Sequence, residues 1–123
     1  MKIVVVEPDP DLLELFGAVL GREHQVRTVS RGDEAAALLA REPQPDVLLS
    51  ELELAGESGE SLAFRARGYP HGPAVFFMSV DRERLSEARA LARQVFLKPF
   101  ALSTVVAALE SVAREKDRGD HGC

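Results

Sequence analysis

The sequence is short of cysteine, of basic charge and of long apolar runs, and each shortage excludes a class of protein. Its single cysteine, Cys123, cannot close an internal disulfide, so a reducing cytoplasm is the expected compartment. Fifteen Lys and Arg stand against twenty Asp and Glu, a formal net charge of -5. A nucleic-acid backbone is therefore not an expected partner, because such binders present a clustered basic face. No stretch approaches the roughly 18 apolar residues of a membrane helix, so no membrane partner is expected. The opening "MKIVVVEP" has four apolar residues between Lys2 and Glu7, too few for a signal-peptide core. Internal repeats and linkers are lacking too. The end, "DRGDHGC", is polar and glycine-containing, and reads as a tail over 116–123 behind a domain over 1–115. His121 and Cys123 on such a tail make a poor metal site.

What is present is a domain's worth of patterned core. The 123 residues, 46% hydrophobic, suffice for one domain with a core of its own. "KIVVV" (2–6) is β-branched and suits a strand buried on both faces. Asp9 then caps a helix that opens on Pro10, carries Leu12, Leu13, Phe16, Val19 and Leu20 at helical spacing, and stops at Gly21. Strands are expected over 25–29, 46–51, 74–80 and 95–97. Helices are expected over 32–40, through Leu62 and Phe64, over 82–92, and from Leu102 to beyond Val112. Strict alternation of five strands and five helices implies a doubly wound, five-stranded parallel sheet with helices on both faces.

In such sheets ligands bind beyond the carboxyl ends of the strands. Those ends carry Glu7, Glu51 with Glu53, Ser79 and Lys98. Carboxylates gathered there repel one another unless a metal, a lysine or shared protons intervene, and Lys98 is the available cation. "GESGES" (56–61) lacks the lysine of a phosphate-binding loop and reads as a turn and helix start. Phe76 and Phe77 read as core, and Arg65 and Arg67 as solvated.

The stretches "KIVVVEPDPDLLELF", "PDVLLSELELAGESG", "FFMSV" and "FLKPF" together resemble the receiver domain of bacterial two-component response regulators, over about 2–113. The resemblance implies a flavodoxin-like strand order. It also implies a pocket in which a strand-three aspartate takes a phosphoryl group from a histidine kinase, two acids after strand one help to hold Mg²⁺, and a hydroxyl and a lysine contact the phosphoryl oxygens. In this chain Glu51 stands at the phosphoacceptor position and Glu7 at the first acid. Pro8 stands at the second acid, which removes a metal ligand. Asp9 matches a position outside the pocket, and Glu53 one that offers a backbone carbonyl. Ser79 and Lys98 match the phosphoryl contacts. Val95 replaces the aromatic switch residue, and Ala55 a loop proline. The stretch from Ser79 to Lys98 is short, which implies a trimmed fourth helix or loop.

These departures imply an atypical receiver, or pseudo-receiver. It would be a phosphorylation-independent interaction module rather than an enzyme, with weak or absent Mg²⁺ binding and Glu51 paired to Lys98 within reach of Ser79. The partners implied are proteins: a histidine kinase, an output protein, or a second copy through the face over 82–113, which includes Val95, Leu102 and Val106. Two alternatives stand behind this reading. One is a conventional receiver still phosphorylated by a kinase. The other is a metal-dependent phosphatase of the haloacid dehalogenase class, suggested by the Glu51-x-Glu53 pair after a strand.

Overall fold

The computed structural model describes the backbone of residues 1–121 and the side chains of residues 1–117. Strands β1 (Lys2–Val6), β2 (Gln25–Val29), β3 (Val47–Glu51), β4 (Ala74–Ser79) and β5 (Gln94–Leu97) form one parallel sheet in the order β2-β1-β3-β4-β5. Helices α1 (Pro10–Leu20), α2 (Gly32–Leu39), α3 (Gly59–Arg67), α4 (Arg82–Ala88) and α5 (Leu102–His121) connect and flank the strands. This is the doubly wound parallel sheet that the alternation predicts, with the flavodoxin-like strand order that the resemblance implies.

Side-chain alternation along the strands makes two cores. Val4, Val6, Leu48, Val75 and Phe77 pack against Ala35, Leu39, Leu62, Ala63, Leu85 and Ala88 from α2, α3 and α4. Their neighbours Ile3, Val5, Val47, Leu49, Phe76, Met78 and Phe96 point the other way, onto Phe16, Leu20, Val105, Leu109 and Val112 from α1 and α5. The central strands are buried on both sides, which is why they read as continuous apolar runs rather than as alternating ones. Phe76 and Phe77 are both core residues, one on each face.

The local signals act as expected at several ends. Asp9 caps α1 by accepting the Asp11 amide, with Pro10 at the first helical position. Ser58 caps α3 by accepting the Ser61 amide, so "GESGES" is the turn and helix start it reads as. Arg65, read as solvated, is exposed but pairs with Glu57 (2.6 Å).

Two expectations change. The helix expected over 82–92 is α4 only to Ala88, followed by a 3-10 turn over Arg89–Leu91. Arg67, from α3, donates to the Ala90 carbonyl (2.9 Å), and Ala92 turns extended toward β5. The tail expected from 116 continues as α5 to His121. The run Ala113-Arg114-Glu115-Lys116 consists of good helix formers, and Glu115 and Lys116 tie that turn to Arg93 and Asp46. Gly122 and Cys123 lie outside the described residues, and with them the pairing of His121 and Cys123. No helix among the described residues is long and apolar enough to cross a membrane.

Candidate functional site

Register alone brings the acids together. Val6 partners Ser50 across β1 and β3, so the next residue of each strand, Glu7 and Glu51, emerges side by side at the carboxyl rim. Both are buried, at 2% and 8% exposure. On the far side of β4, Leu97 partners Ser79, and the Lys98 amide donates to the Ser79 carbonyl (2.8 Å). The Lys98 side chain reaches back over the rim. Its ammonium meets Glu51 Oε2 at 2.7 Å and Glu7 Oε1 in a second, shorter contact.

The remaining carboxylate oxygens are also engaged. Glu7 Oε2 accepts the Asp9 amide (2.9 Å), and Glu51 Oε1 accepts the Leu52 amide (3.2 Å). Each of the four oxygens thus has a donor. Burial works to lower the pKa of the Lys98 ammonium. The hydrogen bonds to Glu51 and Glu7, with the charge of both, outweigh it and leave the pKa above its ordinary value. Three groups carry a formal charge of -1 between them in a site nearly shut off from water.

The other residues named from the sequence fall at the same rim with different partners. Pro8 is exposed and has no side-chain oxygen to offer. The Asp9 carboxylate is committed to its helix cap. Glu53 is exposed. Ser79 is buried beside the pocket, but its hydroxyl accepts the Asp81 amide (3.1 Å) rather than engaging Glu51 or Lys98. Val95 is half-buried and packs onto the core beneath α4.

Glycine follows Glu51 for steric reasons. Gly56 turns the loop at φ 86°, in the left-handed region. A Cβ on Gly59 would collide with the Glu51 carbonyl, so only glycine lets α3 start this close to the end of β3.

Sequence reasoning missed Arg84. Its guanidinium forks onto both oxygens of Glu60 (2.9 and 3.0 Å) and also donates to the Leu52 carbonyl (3.2 Å), one residue past Glu51. Asp81 accepts the Arg84 amide (3.0 Å) and caps α4. A continuous set of bonds therefore runs from Ser79 through Asp81 and Arg84 to the backbone beside Glu51. No sequence signal pairs Arg84 with Glu60, since the two lie 24 residues apart on different helices. Next to the pocket, Leu12, Val80, Pro99 and Phe100, with Asp9 and Lys98, line a recess of about 400 Å³. Val80 there is 75% exposed.

A rim of strand-end acids facing one lysine, on a sheet of this order, is the arrangement that the receiver resemblance implies. The model of the response regulator receiver domain matches residues 3–110, and the chain belongs to that family. The receiver domain of Klebsiella pneumoniae RstA, solved in its BeF3-activated form, superposes with a TM-score of 0.79 at 30% identity, covering 93% of this chain and 99% of that one. Escherichia coli RstA, a transcriptional regulatory protein, is 34% identical over 82 residues, 66% of this chain and 34% of its own length. The sensory transduction protein LytT of Enterococcus faecalis is 25% identical over 118 residues, 94% of this chain. This chain spans 49% of LytT, about half the length of that relative.

Proposed function

We propose that this receiver domain works without phosphorylation, as a protein-interaction module whose pocket is closed on itself. One observation carries the reading: Lys98 is already held by Glu7 and Glu51, and every oxygen of the two carboxylates already has a donor. Glu51 takes the phosphoacceptor position, and its extra methylene moves the carboxylate by roughly 1.5 Å. A displacement of about 1 Å costs on the order of a hundredfold in rate where in-line geometry matters.

The residues present fit Mg²⁺ poorly. That ion requires well-placed octahedral oxygens; Pro8 supplies none, and both buried carboxylates face an ammonium instead. Glu51, paired to Lys98, stands in for part of a phosphorylated state, with one negative charge where a phosphoryl group carries nearly two. Val95, half-buried and aliphatic, offers no aromatic ring to relay the state of the pocket to the surface. The apolar recess beside Lys98 and Val80 supports a protein partner, and a cytoplasmic setting without enzymatic turnover completes the reading. A kinase, an output protein and a second copy through 82–113 are the partner classes it admits.

Intact mass after incubation with acetyl phosphate and Mg²⁺ tests this. The parent should gain no phosphoryl group. The variant Pro8→Asp, Glu51→Asp, which restores a metal ligand and a shorter nucleophile together, should gain one. Each single change should gain far less, because metal and nucleophile act in one transition state. A phosphoryl group on Glu51 of the parent would instead favour a conventional receiver.

A further inference from the structure

Away from the rim, the turn between α1 and β2 meets α5. We propose that Glu23, His24 and Glu110 form a binding site for a divalent transition-metal cation, with Zn²⁺ the best fit. The three side chains bring one ligand atom each to within 4.8 Å of one another. His24 is nine-tenths buried, with 10% of its side chain exposed. Its Nε2 lies 3.4 Å from Glu110 Oε2. That is long for an N–H···O bond, which prefers about 2.9–3.0 Å. It is the right length for one edge of a zinc tetrahedron, since bonds of about 2.0–2.1 Å set neighbouring ligands roughly 3.4 Å apart.

A cavity of about 190 Å³ opens on the same three residues, walled by Val19, Leu20 and Val106, with Arg22 at its edge. Glu23 is exposed, so its side chain is free to close the widest gap. Two carboxylates and a neutral imidazole balance a divalent ion. The imidazole selects against Mg²⁺ and Ca²⁺, which prefer all-oxygen sites.

His24 Nδ1 lies 3.4 Å from the Met1 amine. With Nδ1 turned to that amine, Nε2 is the ring nitrogen that faces Glu110 and the ion. Arg22, at the cavity edge, opposes the cation. A bound ion would tie the α1–β2 turn to α5 and stiffen that side of the domain.

The test is calorimetric titration of the full chain with Zn²⁺ at pH 8. The background carries His121→Ala and Cys123→Ser, so that terminal ligands do not contribute. One site with a dissociation constant of about 10 µM is expected. His24→Gln and Glu110→Gln should each weaken it at least about tenfold, and Glu23→Gln by a smaller factor. Co²⁺ in place of Zn²⁺ should give the visible absorption of a tetrahedral site. Metal-free circular dichroism and thermal melts establish that each variant folds. Should His24→Gln not fold, the exposed Glu23→Gln carries the comparison. A dissociation constant weaker than about 1 mM, or an affinity indifferent to these substitutions, overturns the proposal.

Discussion

Two lysines sit at opposite ends of this sheet, and each meets carboxylate. At the amino rim, Lys116 of α5 contacts Asp46, whose other oxygen accepts the Lys2 amide (2.8 Å), and Arg93 pairs nearby with Glu115 (2.7 Å). There the Lys116 side chain is 54% exposed. At the carboxyl rim, Lys98 is 18% exposed, and its two carboxylates are more deeply buried than it is. The residue types match; the environments do not. Water screens the first pair and leaves it worth little, whereas the second arrangement cannot lose Lys98 without stranding two carboxylates. Strand-end charge is thus common to both rims. Convergence from three strand ends, combined with burial, is what makes one of them a site.

The largest effect that would break this contrast is at Lys98. Lys98→Met leaves two buried carboxylates facing each other, and should lower unfolding free energy by about 2–4 kcal/mol in urea. Adding Glu7→Gln and Glu51→Gln to that variant should recover part of the loss, because neutral amides require no cation. If Lys98→Met melts with the parent, the pocket is open to water and the contrast fails.

Arg84 comes next. Arg84→Ala removes the fork onto Glu60 and the bond to the Leu52 carbonyl, a partly exposed set worth about 1–2 kcal/mol. The pH dependence fixes its sign. Burial works to raise the Glu60 pKa, but the Arg84 hydrogen bond and charge outweigh it and hold the pKa below its ordinary value. The stability tied to Glu60 is therefore complete above its unfolded pKa of about 4.3, and fades as pH falls through the lower folded value. The difference in melting temperature between parent and Arg84→Ala should be largest at pH 7 and shrink in strong acid to the part owed to the Leu52 carbonyl. A constant difference across that range would mean that Arg84 acts through packing instead.

The smallest effect is expected at the amino rim. Lys116→Met should change stability by less than about 1 kcal/mol, and less still in high salt. A loss matching that of Lys98→Met would erase the distinction between the two rims.

Much of this was legible in the sequence. Apolar runs, Asp9-Pro10, Gly21 and the "GESGES" turn locate their elements closely, because caps and breakers act within a turn of themselves. The strand-end rule brought Glu7, Glu51 and Lys98 together, although Glu7 and Lys98 are 91 residues apart. What stayed hidden depends on how helices pack. Arg84 with Glu60, His24 with Glu110, and Arg67 with the Ala90 carbonyl each join different elements, and nothing in periodicity pairs them. The end of α5 was misread because glycine and polar residues suggest a tail locally, while Lys116 and Glu115 find partners only once the sheet is built. Ser79 shows the same limit: its position was readable, but its choice of the Asp81 amide was not.

Lys98 is held by Glu7 and Glu51 before any group arrives at the pocket. A proton–nitrogen correlation spectrum selective for lysine ammonium groups observes that directly, with Lys98→Met assigning the signal. One ammonium resonance is expected to be protected from exchange at neutral pH, absent from the variant, and unmoved by Mg²⁺ with acetyl phosphate. A Lys98 signal lost to rapid exchange, or one that shifts when those reagents are added, would contradict it.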